Sequence, residues 1–394
     1  LILFLSNGHG EDLNASLIIQ ALEASYPSLS VAAMPLVGSG HAYSKQGVTI
    51  IGPTQNLPSG GLIYTHPWNW CKDLGAGLVS LTVKQLRAVF SYRRNCRGIV
   101  AVGDIVPIAV AYLTGRPFVA FIVSTSSYYE GKLKLPWLTT YCLRSQRCLS
   151  ILTRDQFTAM DLQKRGISKA KFVGYPIMDV LSPIGQDLAL NPTLSTIALL
   201  PGSRLPEAIH NLALQLKTCE EITKIQPANF RVALIAEIQE SDLQQLAQQE
   251  QWQYQPKGIL RKTISGQTLE VRCYWRAFAD IVHRCDLAIG MAGTAVEQVV
   301  GLGKPVVQIP GEGPQFTYAF AEAQMRLLGA SVITVGKKPT EPQLFTQTAQ
   351  LIRKLLYDEE YLAQCRQDGW QRVGLPGGSA AIAHYLVQVF KEII

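Results

Sequence analysis

The sequence is poor in charge: Asp, Glu, Lys and Arg together make up 16% of its 394 residues. It also lacks low-complexity tracts, which excludes a disordered or solvating chain. Its eight cysteines are scattered at 71, 96, 142, 148, 219, 273, 285 and 365, with no CxxC pair among them. That spacing excludes a disulfide framework and predicts reduced, mostly buried thiols in a cytosolic protein. No group of His, Cys, Asp and Glu has the spacing of a metal site, so neither a metal nor another cofactor is expected. An uninterrupted apolar run long enough to cross a bilayer is missing as well. The best candidate, residues 98–123, contains Asp104 and Pro107 and breaks at Thr114-Gly115-Arg116-Pro117, whereas a span needs about 20 nearly uncharged residues. A buried strand, a short helix and another buried strand fit it better. LILFL, residues 1–5, is too short for a signal-peptide core. It opens inside a strand-like run, so a short leader could precede it.

What is present is apolar: 47% of the residues are hydrophobic. A chain of this length exceeds one ordinary core, which predicts two domains. Short apolar runs alternate with helical stretches, the pattern of a parallel sheet covered on both faces. The runs in the first half are LILFL, SVAAM (30–34), VTIIG (48–52), GIVAV (98–102), FVAFIV (118–123), LSILT (149–153) and AKFVG (170–174). Residues 178–195 break the rhythm with two prolines and read as a linker. It restarts with TIALL (196–200), FRVALIA (230–236), LEVRCY (269–274), DLAIG (286–290), KPVVQI (304–309) and SVITV (331–335). The fold class is therefore α/β, with two Rossmann-like, doubly wound domains expected to face each other across a cleft. Residues 1–180 form the first and 181–375 the second, and a helix over 376–394 packs back towards the first. Ligands in such folds bind at the C-terminal ends of the strands.

Two segments in the second half stand at such ends. In TIALLPGSRLPEAIH a buried strand runs into Pro201-Gly202-Ser203-Arg204, and a helix follows with Glu207 in or near its first turn. Glycine lets the backbone approach a ligand, helix-start N–H groups attract an anion, and Arg204 can fork two hydrogen bonds to a phosphate. A plain strand-to-helix turn with a solvated arginine would read the same. In DLAIGMAGTAVEQ a strand ends at Gly290, the loop passes Ala292 and Gly293, and a helix starts near Thr294. Thr294 with Glu297 would be a capping box in any helix. The functional alternative has the loop amides on a diphosphate and Glu297, beside Gln298, taking two ribose hydroxyls. The next strand ends in IPGEGPQ, which brings Gln315 to the same edge. Three loops at one edge point to a nucleotide site.

The first half has weaker signals. His9, in SNGHGED, and Asp104, in VGDIVP, stand at strand ends where a general base would be needed. Asp12 is either part of that site or a cap for a helix starting near Leu13, and Asp104 could likewise cap a helix starting near Ile105. Residues 123–148 interleave Tyr128, Tyr129 and Trp137 with Lys132, Lys134, Arg144 and Arg147, and LPSGGLIYTHPWNW (57–70) adds more aromatics. With a net charge of +7, this suits an anionic membrane interface or an amphiphilic acceptor, or ordinary surface over core. Nucleic acid fits the same composition but is the least expected partner.

These residues together resemble lipid-A-disaccharide synthase and its relatives, inverting glycosyltransferases of the two-Rossmann-domain, GT-B type. The most specific match is LLPGSR, residues 199–204, with Glu207. FVGYPIMD (172–179) is similar to the stretch before the family's interdomain linker. GTAVEQ (293–298) is similar to its Gly-Thr-Ala-x-x-Glu, and VSTSSYY (123–129), which holds Ser124 and Ser126, to its Ser-Pro-Ser stretch. The opening loop departs. Where the family has Ala-Gly-Glu-x-Ser-Gly-Asp, this chain has Ser6-Asn7-Gly8-His9-Gly10-Glu11-Asp12, and only Asp12 is kept. His9 between glycines looks more like the opening loop of the peptidoglycan and galactolipid glycosyltransferases. Asp104 matches a strand-end Asp of the family, and Pro107 replaces a second one. The resemblance implies transfer of a sugar from a UDP-sugar to a lipid acceptor at the cytoplasmic face of a membrane, which the first domain would touch. His9 or Asp104 would be the base, and Ser124, Ser126, Tyr128 and Trp137 would lie on the acceptor side. A sugar-nucleotide epimerase and a non-catalytic binder of UDP-sugars or lipids are the alternatives.

Overall fold

A computed structural model describes residues 1–55, 78–311 and 316–391. LPSGGLIYTHPWNW, Cys71 and Gln315 lie outside the described residues. The described chain divides into two compact units, Leu1–Asp179 with Leu375–Ile394, and Val180–Gly374.

The first unit is built on β1 (Ile2–Ser6), β2 (Val31–Pro35), β3 (Gly98–Val102), β4 (Phe118–Ile122), β5 (Cys148–Thr153) and β6 (Ala170–Lys171). They form one sheet in the order β2-β1-β3-β4-β5-β6, every pair parallel. All residues of β1, β3 and β4 are buried. Such strands cannot alternate polar and apolar side chains, which is why they read as continuous apolar runs. VTIIG does not become a strand; Ile50 makes a single parallel bridge to Ala33, and Pro53, which has no N–H to donate, follows. The interrupted run 98–123 is the predicted strand, helix (Ile105–Leu113) and strand. The last helix, Gly378–Lys391, packs in this unit. Tyr385 donates its hydroxyl to Ser150 (2.9 Å), and the Phe390 ring fills the space that a side chain on Gly98 would need, 2.1 Å from a Cβ placed there.

The second unit carries β7 (Thr196–Leu200), β8 (Asn229–Leu234), β9 (Gln253–Gln255), β10 (Ile259–Ile264), β11 (Gln267–Trp275), β12 (Leu287–Gly290), β13 (Val306–Gln308) and β14 (Val332–Thr334). Their order is β14-β13-β12-β7-β8-β11-β10-β9. The five neighbour pairs from β14 to β11 are parallel, and β11-β10-β9 are antiparallel. The antiparallel edge is absent from the apolar-run reading, because β10 (ILRKTI) is half polar. Its signal is the turn Ser265-Gly266, where both residues have positive φ (50° and 82°) as tight hairpins require. Residues 180–195 contain no helix or strand. They are tied down all the same: Asp280 accepts from the N–H groups of Ile184, Gly185 and Gln186, and Arg231 donates to the carbonyls of Leu188 and Ala189.

Both sheets reverse their winding direction once. In the first unit β1 is flanked by β2 and β3, in the second β7 by β8 and β12. Loops leaving neighbouring strands in opposite directions at such a point open a crevice at the strand ends.

Candidate functional site

In the first unit the crevice belongs to β1 and β3, with β4 beside them. The chain leaves β1 through Asn7 and Gly8, and the helix His9–Ser25 begins at once. His9 is therefore the first helical residue, exposed, with its ring against Gly38 (3.5 Å from a Cβ placed there). Asp104 does cap its helix, accepting from the Val106 N–H (2.9 Å). The same oxygen accepts from Asn7 Nδ2 (2.6 Å), which ties the ends of β1 and β3 together.

The sequence reading missed Glu11. Its carboxylate folds back over the turn, so that a Cβ on Gly8 would stand 2.4 Å from Glu11 Oε2. A Cβ on Gly103 (φ +131°) would stand 2.0 Å from Asn7 Oδ1 and 3.3 Å from Glu11 Cγ. The two glycines make the room that the acid occupies. Ser124, just beyond β4, hydrogen-bonds the carboxylate. Burial pushes the Glu11 pKa up; its own N–H and Ser124 pull it down, Asp104 pushes it up again and His9 lowers it, and the net direction is upward. His9, Glu11, Asp104 and Ser124 are thus one constellation.

Asp12 is not part of it. The helix begins four residues earlier than a cap at Asp12 requires, so Asp12 lies inside it, 2% exposed. It accepts from Ser6 Oγ (2.6 Å), which also contacts the buried Tyr43 hydroxyl (2.6 Å). Burial without a cation raises its pKa to about 7, against the pull of Ser6. Ser126 is likewise structural: buried, it donates to Asp155 (2.7 Å) and caps a short turn. Tyr128 stacks on Phe157 (4.6 Å between ring centres). Trp137 is 80% exposed, and Leu113, Leu138 and Tyr141 are exposed as well. Tyr141 meets Tyr112 edge-on, and Arg147 lies over the Tyr112 ring.

The second unit's crevice is made of backbone. After Leu200 the chain turns at Gly202 (φ +106°), where an added Cβ would lie 3.0 Å from the Met291 carbonyl oxygen. The two loops are locked together by Met291 N–H donating to Leu200 O (2.8 Å). Asn211, on the helix Glu207–Ile225, donates to Pro201 O (2.9 Å) from a buried position. Ser203 and Arg204 are exposed, and Glu207 opens the helix half-buried. A hollow is lined by Gly202, Ser203, Arg204, Glu207, Met291 and Phe316, among others. Gly311 closes on it, its added Cβ 2.5 Å from Asn211 Oδ1 and 2.7 Å from Met291 Cε.

The capping box at Thr294 does not form. The N-cap is Gly293, Thr294 is the first helical residue and exposed, and no side chain caps the helix Thr294–Gly301. Its first-turn N–H groups are not covered by a Thr hydroxyl, as a capping box would have done. Glu297 is half-buried in the first turn and Gln298 is buried. A second polar chain orients the loop: Gln324 Nε2 donates to the carbonyls of Ala292 (3.3 Å) and Gly293 (3.1 Å). Gln324 accepts from Gln308, which accepts from Thr334. Larger hollows, of about 500 and 610 Å³, lie at the other edge, among the linker, His283 and Arg284.

Among the described residues, no three His, Cys, Asp or Glu side chains could hold a metal ion together. No described helix is long and apolar enough to cross a membrane. The described cysteines are all free and buried.

No protein-family model matches the chain. It is similar to two curated lipid-A-disaccharide synthases. The one from Syntrophotalea carbinolica is 23% identical over 240 residues, 57% of each chain. The one from Syntrophus aciditrophicus is 29% identical over 146 residues, 35% of this chain and 34% of the relative. The matched stretches thus span about half of one relative and a third of the other. Three solved structures follow the chain almost end to end. The glycotransferase of kitacinnamycin has a TM-score of 0.60 at 14% identity, covering 99% and 98% of the two chains. Spinosyn rhamnosyltransferase complexed with thymidine diphosphate has 0.59 at 13%, covering 98% and 99%. UDP-GlcNAc 2-epimerase from Neisseria meningitidis bound to UDP-GlcNAc has 0.56 at 12%, covering 99% of each. The fold is that of the GT-B glycosyltransferases, two Rossmann-like domains, and the resemblance to the lipid-A-disaccharide synthase family holds at this distance.

Proposed function

We propose that the protein is a glycosyltransferase that moves a sugar from a UDP-sugar to a hydroxyl of a lipid acceptor, with inversion at the anomeric carbon. The observation that carries this reading is the crevice at β7 and β12. There a glycine turn, the uncapped start of a helix and Arg204 belong to one strand-end edge, with Glu297 in the first helical turn. In the reaction the leaving diphosphate gathers negative charge. N–H groups at a helix start and a guanidinium stabilise such charge without reorganising, often the largest catalytic term. They would take the part that magnesium plays in other transferases. Glu297 would accept the two ribose hydroxyls.

The first unit would supply the base and the acceptor side. Its exposed Trp137, Tyr141, Leu113 and Leu138, with Arg144 and Arg147 nearby in sequence, suit the headgroup region of an anionic bilayer. On this reading the protein would work peripherally at the cytoplasmic face of a membrane. The epimerase reading draws on the acids and the histidine of the first unit, but gives no use to the exposed apolar side chains. Titration calorimetry with UDP, followed by transfer from labelled UDP-sugars to a bacterial polar-lipid extract, tests the proposal. A mass increase of one sugar on a lipid supports it. A nucleotide sugar epimerised on its ring, with no lipid product, would replace it by the alternative.

A further inference from the structure

We propose that Glu11 is the base that removes the acceptor's proton, a role that rests on the transferase reading above. Three acidic or basic groups meet at the ends of β1, β3 and β4, and their surroundings differ. Asp104 is committed: one oxygen holds both the Val106 N–H and the Asn7 amide, as a helix cap and as a tie between β1 and β3. His9 is exposed, and among the described residues no hydrogen bond orients its ring. Glu11 alone is both held and left with the task open. Gly8 and Gly103 leave it room, since a side chain there would collide with Glu11 or with Asn7 beside it, and the Ser124 hydroxyl favours its charged form. A base works best when its proton affinity lies near the working pH, and partial burial moves Glu11 in that direction.

The opening loop departs here from the family that the chain resembles. It carries glycine at 8, where that family has glutamate, and glutamate at 11, where that family has glycine. The acid at 11 turns back over Gly8 across one helical turn and fills the space a residue-8 side chain would take.

The step balances simply. The acceptor O–H gives its proton to a Glu11 oxygen while the hydroxyl oxygen bonds to the anomeric carbon. The bond from that carbon to the diphosphate breaks, and its electron pair leaves on the UDP oxygen. Glu11 then returns the proton to solvent.

The test compares wild type with Glu11→Gln, Glu11→Asp, His9→Ala and Asp104→Asn. The probes are labelled UDP-N-acetylglucosamine, UDP-glucose and UDP-galactose with a bacterial polar-lipid extract, and UDP binding and thermal melts serve as fold controls. Glu11→Gln is expected to lower kcat by about 10²–10⁴-fold while the Kd for UDP stays within about twofold. It also removes the acidic limb of the kcat–pH profile, and Glu11→Asp keeps that limb at a lower rate. The groups facing Glu11 that shape this limb are His9 and Asp12 on its own helix, Asp104 after β3, Tyr43 on the neighbouring helix and the Ser124 hydroxyl. Glu11→Gln within threefold of wild type, or an acidic limb lost in His9→Ala or Asp104→Asn but kept in Glu11→Gln, overturns the role and leaves the transferase reading standing. A wild type that binds UDP and transfers no sugar removes both.

Discussion

The two crevices use the same backbone device and opposite chemistry. Each lies at a winding reversal, and each has a positive-φ glycine pressed against the neighbouring loop: Gly103 on Asn7, Gly202 on Met291. In the first unit the space so gained is filled by carboxylates, Glu11 and Asp104, in a partly buried setting. In the second the strand-end loops carry a helix start with no side-chain cap and one exposed arginine. A pocket of carboxylates repels phosphate and can accept protons; a rim of amides attracts phosphate and has no proton affinity to use. On the proposed function, proton handling would belong to one sheet and anion handling to the other.

Exchanging the glycines should break the comparison most visibly. Gly103→Val puts a branched side chain at φ +131° and into Asn7. It should cost the first unit about 3 kcal/mol or more, lowering the melting temperature by roughly 6–12 °C and removing transfer while UDP binding survives. Gly202→Val is strained as well, at φ +106° and with the Met291 carbonyl oxygen at 3.0 Å, but it should cost the second unit stability and weaken UDP binding. Equal losses of UDP affinity in both variants would contradict the division of labour. Next comes Arg204→Ala, expected to weaken UDP binding by about 10–100-fold in calorimetry, the worth of a charge-assisted hydrogen bond. Glu11→Gln is the matched control that should leave the same isotherm unchanged.

A smaller effect separates Glu11 from its neighbour Asp12. The Asp12 pKa is raised to about 7 in the folded protein, above the unfolded value near 3.8. The folded state then holds the extra proton between those limits. The stability this gives is complete below pH ~4 and disappears as pH rises through ~7. Asp12→Asn should therefore flatten the denaturant-stability profile between pH 4 and 7. At pH 7 and above it should equal or exceed wild type, by on the order of 1–2 kcal/mol. A variant less stable at pH 8 than wild type would show that Asp12 has work to do as an anion. Smallest is Trp137→Ala, which should weaken binding to anionic lipid vesicles by about fivefold, roughly 1 kcal/mol of apolar burial, and leave UDP binding alone. Unchanged vesicle sedimentation would remove Trp137 from the account.

The interruption of residues 98–123 by Asp104, Pro107 and the turn at Thr114 already dictated strand, helix and strand, since each breaker has one low-energy use. LLPGSR and GTAVEQ were legible as strand-end loops because such a turn is made of main chain, and its side-chain requirement is local: glycine where the chain must bend. Glu11 was not legible in this way. Its neighbours Gly8, Gly103, Asp104 and Ser124 come from three strand ends, and no sequence spacing records that they meet. Asp12 shows the converse. It matched a family position and read as a site residue, yet the helix starts at His9 and carries Asp12 into the interior.

By itself the sequence determined the two α/β halves and the strand-end loops of the second, because buried parallel strands and glycine turns impose their patterns on consecutive residues. Only the tertiary structure decided which acid in SNGHGED faces the crevice and which is buried. Both lie on one helix a single position apart, about 100° around its axis, and that rotation is fixed by packing across the sheet.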